Sequence, residues 1–224
     1  MDTIANPGSA QRPRLIVAAQ PLVYVVDDDL SLRASLESLI ADAGWRPALF
    51  CSAMEFLANQ RPAVPSCLIL EIGLPNLDGL ELQRRLAAEH VDMPIIFIAA
   101  RGDIPTTVRA MKAGAVEFLT KPFAPSAMLS AIQCALERSR VRLEEQATLQ
   151  RLWIRYETLS RREREVMARV VLGALNKQVC ADLGISEITV KQHRGRMMRK
   201  IRARSLPELV TIASRLGLAT AGRA

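Results

Sequence analysis

The sequence has little with which to hold a transition metal. Among 224 residues there are two histidines and four cysteines, and Cys51, Cys67, Cys134 and Cys180 form no CxxC pair. That spacing argues against a zinc site. Long apolar runs are also missing. Leu15-Ile16-Val17-Ala18-Ala19 is far too short for a membrane span or the core of a secretory signal. The expectation is a cytoplasmic protein with reduced thiols and no membrane partner.

What is present is an uneven distribution of charge. Residues 1–140 carry 13 Lys+Arg against 15 Asp+Glu, a net of −2. Residues 141–224 carry 17 against 8, a net of +9, and the two parts give the whole-chain +7. An acidic front and a basic back suggest two jobs, with a polyanion met by the back. On charge alone, an ordinary solvated basic surface explains the same numbers equally well.

Residues 1–20, with Pro7, Gly8 and Pro13, read as a disordered lead-in. Short apolar runs then alternate with helical patterns. Strands are expected at Leu22–Val26, Trp45–Phe50, Cys67–Leu70, Pro94–Ile98 and Val116–Leu119. Between them Leu32, Leu36, Leu39 and Ile40 share a helical face, Ser52 and Glu55 form a capping box, and Leu80–Ala88 and Thr107–Ala113 have helical spacing. Continuous apolar strands alternating with helices indicate an α/β domain with a parallel sheet covered on both faces. This core is expected over 21–126.

Past Pro125 the strand signal disappears. Residues 127–157 read as one long helix without Gly or Pro, the last of the core domain continuing into a linker. Leu129, Ile132, Leu136 and Leu143 make a partial heptad seam, which fits either pairing with a twin or packing on its own domain. Residues 158–224 read as four short helices. Ser160-Arg-Arg-Glu163 is a capping box, Gly173 and Gly184 end helices, Ser186 caps a helix from Glu187 to about Arg202, and Ser205 caps the last.

Two groups of residues carry chemistry. Asp27, Asp28 and Asp29 follow the first strand, Glu71 ends the third, and Lys121 follows the fifth. Parallel strands gather these ends on one edge. Grouped carboxylates suit a hard cation, so Asp27, Asp28 and Glu71 form a candidate weak Mg2+ site. A solvated cluster of loop charges is the blander alternative. In the third C-terminal helix, Val190, His193, Met197 and Ile201 form the inward stripe, and Lys191, Gln192, Gly195, Arg196 and Arg199 the opposite face. Lys and Arg bind phosphates or guanine edges, and Gln pairs with adenine. Gly195 costs about 1 kcal/mol against Ala within a helix, which a close backbone approach would explain.

The segments Val25-Val-Asp-Asp28, Glu71-Ile-Gly-Leu-Pro75, Asp78-Gly79, Met111-Lys-Ala-Gly-Ala115 and Lys121-Pro-Phe123 resemble the receiver domain of response regulators. The resemblance implies a flavodoxin-like five-stranded parallel sheet and a cis Lys121–Pro122 bond. It also implies that Glu71 stands where receivers carry the phosphoacceptor Asp. Ala99 stands where they carry the Thr or Ser that follows the phosphoryl group, and Phe118 at the aromatic switch position. Glu is longer than Asp by one methylene, about 1.5 Å. Phosphoryl transfer depends on positioning, so such a shift is costly. Two readings remain open: Glu71 mimics the phosphorylated state, or the receiver is a degenerate dimerisation scaffold.

Leu159-Ser-Arg-Arg-Glu-Arg-Glu-Val166, Asn176-Lys177, Ala181-Asp-Leu-Gly-Ile-Ser186 and Thr189-Val-Lys-Gln-His193 are similar to the LuxR-type helix-turn-helix. With the receiver, the whole chain resembles the FixJ/NarL family of response regulators. By that resemblance Lys191, Gln192 and Gly195 face the DNA groove, and Lys177, Thr189 and Arg199 contact phosphate. Leu209, Ile212, Ala213 and Leu216 of the last helix are expected to form a homodimer contact. The function implied is a sequence-specific transcriptional regulator of double-stranded DNA, not an enzyme, with no required cofactor and no dependence on phosphorylation. A histidine kinase or partner regulator could still dock without phosphotransfer. The alternative function is an interaction module that sequesters kinases or other regulators.

Overall fold

A computed structural model describes residues 20–218. The expected N-terminal lead-in therefore lies, but for Gln20, outside the described residues. The chain divides into two compact units, Met1–Arg140 and Val141–Ala224. The division falls where the charge changes sign.

In the first unit five strands, β1 (Leu22–Val26), β2 (Arg46–Phe50), β3 (Ser66–Glu71), β4 (Ile95–Ala99) and β5 (Glu117–Thr120), form one sheet in the order β2-β1-β3-β4-β5. Every neighbouring pair is parallel. Side chains alternate across the strands and so supply two cores. Val23, Val25, Ile69, Ile96 and Ile98 pack against Leu36 and Ile40 of α1 (Leu30–Asp42) and Met128, Ile132 and Ala135 of α5 (Pro125–Glu157). Tyr24, Val26, Leu68, Leu70 and Phe97 pack against α2 (Ala53–Ala58), α3 (Gly79–Ala88) and α4 (Ile104–Lys112) through Phe56, Leu82, Leu86 and Ala110. This is the flavodoxin-like arrangement, and the Lys121–Pro122 bond is cis as expected.

Local chemistry moves some expected boundaries. α4 begins at Ile104 rather than Thr107, because Asp103 accepts from the Thr106 amide and Pro105 fits the first turn. The Ser52 box is half made: Ser52 accepts from the Glu55 amide, but Glu55 reaches past it to the Cys51 amide. In α5, Ile132 and Leu136 are buried within the first unit, so the front of the heptad seam packs on its own domain.

The second unit holds the end of α5, then α6 (Arg161–Val171), α7 (Asn176–Leu183), α8 (Glu187–Ile201) and α9 (Leu206–Arg215). Leu152, Val166, Val170, Val179, Val190, Met197 and Ile201 share one core. The Ser160–Glu163 capping box is complete. Gly184 closes α7 at φ +64°, in the left-handed region where glycine is at ease, and sets the turn into α8. No described helix is long and apolar enough to cross a membrane.

Candidate functional site

Two sites emerge, one in each unit. In the first, β1 and β3 lie side by side where the strand order reverses, the position at which parallel sheets place ligands. Asp27 is fully buried one residue past β1, and Glu71, also buried, ends β3. Lys121 follows β5 and pairs with both. Its ammonium lies 2.8 Å from Asp27 Oδ2 and also forms an ion pair with Glu71 Oε2. The other carboxylate oxygens are engaged locally: Asp27 Oδ1 accepts from the Asp29 amide at 2.7 Å, and Glu71 Oε1 from the Gly73 amide at 3.1 Å. Burial pushes the Lys121 ammonium down, but the hydrogen bonds and charges of Asp27 and Glu71 outweigh it and hold its pKa above the usual lysine value.

The expected Mg2+ site is not assembled. Asp28 is exposed, and the Lys121 ammonium already bridges the two buried carboxylates. Among the described residues no three metal-ligating side chains gather to hold a cation. The residues as placed do not fit a divalent ion.

Ala99, at the end of β4, presents a methyl and no hydroxyl. Phe118 is half-buried, with its ring 6.4 Å from that of Phe97. The Asp78-Gly79 pair has a steric reason. Asp78 caps α3, while a Cβ on Gly79 would lie 2.6 Å from the Glu71 carbonyl oxygen.

The second site is the outer face of α8. Lys191, Gln192, Gly195, Arg196 and Arg199 are all exposed on it, and Lys177 is exposed on α7. Thr189 is half-buried, its hydroxyl 2.8 Å from that of the capping Ser186. His193 is half-buried at the edge of the inward stripe. Among the described residues no contact accounts for Gly195, whose missing Cβ would face open space.

Two contacts that hold α8 were not read from the sequence. Arg194 donates to Asn176 Oδ1 at 3.0 Å, joining α8 to the start of α7. Lys200 pairs at 2.6 Å with Glu163, which is 3 % exposed and completes the Ser160 cap. Burial raises the Glu163 carboxyl, but Lys200 and the Ser160 amide outweigh it and hold its pKa below the usual range. The pairings cross 18 and 37 residues, so no local spacing announces them.

The expected dimer residues are corrected. Leu209, Ile212, Ala213 and Leu216 are buried in the core of their own unit. The helix period puts Leu206 and Val210 outside instead, at 38 % and 37 % exposure.

A parallel α/β domain with an acid–lysine pocket, joined to a capped helix-turn-helix with a basic face, defines a two-domain response regulator. Comparison with known proteins agrees. Residues 23–133 match the response regulator receiver domain family, and residues 157–213 the family described as bacterial regulatory proteins, luxR family. The chain is 49 % identical over 201 residues to nodulation protein W of Bradyrhizobium diazoefficiens, covering 90 % of this chain and 88 % of that one. It is 37 % identical to the transcriptional regulatory protein FixJ of the same organism, covering 88 % of this chain and 96 % of that one. Among solved structures, the response regulator StyR is similar at 44 % identity and a TM-score of 0.79, covering 88 % of this chain and all of that one. The chain belongs to the FixJ/NarL family of response regulators and is a DNA-binding transcriptional regulator.

Proposed function

We propose that this regulator binds its DNA sites without a phosphorylation switch, because Glu71 occupies Lys121 permanently. The observation that carries the reading is the Lys121 ammonium shared by Asp27 and Glu71. A phosphoryl group on an aspartate would present oxygens to that lysine; here a resident carboxylate takes the role. Ala99 offers no hydroxyl to recruit, so the mimicry is partial. The decisive measurement is DNA affinity of the full-length protein with and without acetyl phosphate. Equal affinity and no acid-stable, base-labile label are expected; binding only after phosphodonor treatment overturns the proposal. Glu71→Gln separates mimic from scaffold. A mimic loses roughly 1 kcal/mol of DNA binding, the scale of an ordinary coupling between sites, whereas a scaffold loses nothing.

On the DNA side, Lys191, Gln192 and Arg196 are the proposed base readers, with Gly195 admitting the close approach of the duplex. Lys177, Thr189 and Arg199 are the proposed phosphate contacts. Self-association falls to the outer face of α9, through Leu206 and Val210.

A further inference from the structure

Beside the ion triad lies a cavity of about 610 Å3 that neither the pocket chemistry nor the DNA face uses. α1 contributes Leu32, Leu36 and Leu39 to one wall, and Ala100, Pro122 and Phe123 form the facing one. Its volume falls in the range of small-molecule sites, and its lining is mainly apolar with few polar groups, as such sites are.

Lys121 and Asp29 are among those polar groups. An ammonium has three donors. Lys121 gives one of them to Asp27 Oδ2 and forms an ion pair with Glu71, which leaves donor capacity for a third group. Asp29 caps α1 with Oδ1, accepting from the amides of Ser31 and Leu32, which leaves Oδ2. The cavity thus offers a hydrogen-bond donor and an acceptor over an apolar floor. The two charged lining groups, Asp29 and Lys121, balance each other, so the cavity carries no net charge with which to select an ion.

We propose that this cavity is a receptor site for an uncharged, mainly apolar small molecule bearing a hydroxyl. The hydroxyl oxygen accepts from Lys121 and its proton is donated to Asp29. The occupant draws on the same lysine as Glu71 and gives the receiver a chemical input that needs no phosphoryl group. The site stands whether or not Glu71 holds the receiver in one state, because it rests on the cavity and the two unspent polar atoms.

The test is amide chemical-shift titration of the full-length 15N-labelled protein with 2-naphthol, naphthalene and 2-naphthoate as probes. Saturable shifts are expected in the amides of residues 32–39, Lys121 and Phe123, with 2-naphthol binding tightest and 2-naphthoate weakest. Ser35→Trp and Ala100→Leu fill the cavity from opposite walls at exposed positions, so the rest of the spectrum should not change. Each is expected to weaken 2-naphthol roughly tenfold, the equivalent of 1.4 kcal/mol. Shifts that never saturate, that fall elsewhere, or that persist undiminished in both variants overturn the proposal. Tightest binding by 2-naphthoate overturns the chemical class.

Discussion

At the scale of the residue, Lys121 governs the receiver pocket. Its pKa is raised, so the stabilisation it brings is complete below the ordinary lysine value and is lost only as pH rises through the higher folded value. The triad is therefore intact at neutral pH. Removing its members should have unequal effects. Glu71→Gln leaves the Lys121–Asp27 pair and relieves repulsion between two carboxylates, so its cost is expected to stay within about 1 kcal/mol. Lys121→Met leaves two buried carboxylates without their cation and should cost about 3–5 kcal/mol at neutral pH. Denaturant melts at neutral pH read that cost. Equal effects of the two substitutions would refute this account. On α8 the proposed roles predict unequal effects too. Lys191→Ala or Gln192→Ala should cost about 1–3 kcal/mol at cognate DNA and relax specificity, whereas Arg199→Ala should weaken all sequences alike. Gel shifts on cognate and scrambled duplexes distinguish the two patterns.

At the scale of the element, α8 is held at its middle and near its C-terminal end by long-range polar contacts, Arg194–Asn176 and Lys200–Glu163. Glu163 has a depressed pKa, so its contribution is present above the ordinary carboxyl value of 4.5 and is lost as pH falls through the folded value. Glu163→Gln should lower the stability of the second unit by about 1 kcal/mol at pH 7, since Lys200 is partly exposed. The difference from wild type should fade in chemical melts below pH 4.5. A difference that does not change with pH would mean that the cap, not the charge, is what matters. α9 allows a parallel contrast. Leu209→Ala opens the core and should cost about 2–5 kcal/mol. Val210→Asp, one residue on, should leave the fold within about 0.5 kcal/mol of wild type. If α9 mediates self-association, sedimentation should show Val210→Asp to be the variant that loses the dimer.

At the scale of the molecule, the +9 of residues 141–224 should make DNA binding strongly salt-dependent, because each neutralised phosphate releases counterions. A two-fold site with half-sites about one helical turn apart is expected on DNA. Mild oxidation should leave that binding unchanged. Cys67 is buried and its thiol pKa is pushed up by burial, which makes it inert. Cys51 and Cys134 are exposed but belong to the first unit and not to α8, and Cys180 is half-buried in α7. Thiol-reversible loss of the gel shift would contradict this.

The architecture was legible in the sequence because it rests on periodicity. All five strands and the helices between them were visible, while the chain divides at residue 140, inside the stretch read as one helix over 127–157. The exposed face of α8 was visible for the same reason, since a helix with a buried stripe shows its opposite side. What the sequence could not decide was which charged groups meet. It put Asp28 and Glu71 foremost with Asp27 assisting, whereas folding buried Asp27 and Glu71 against Lys121 and left Asp28 exposed. The family resemblance, not the apolar period, offered the residues of α9 as a dimer contact, and a core stripe and an interface stripe are written with the same residues. Only the packing of α9 in its own unit decided that Leu209 and Ala213 face inward and Val210 outward. Apolar period is a local property of the chain, whereas ion pairing and burial depend on neighbours brought together from distant positions, and those the tertiary structure alone supplied.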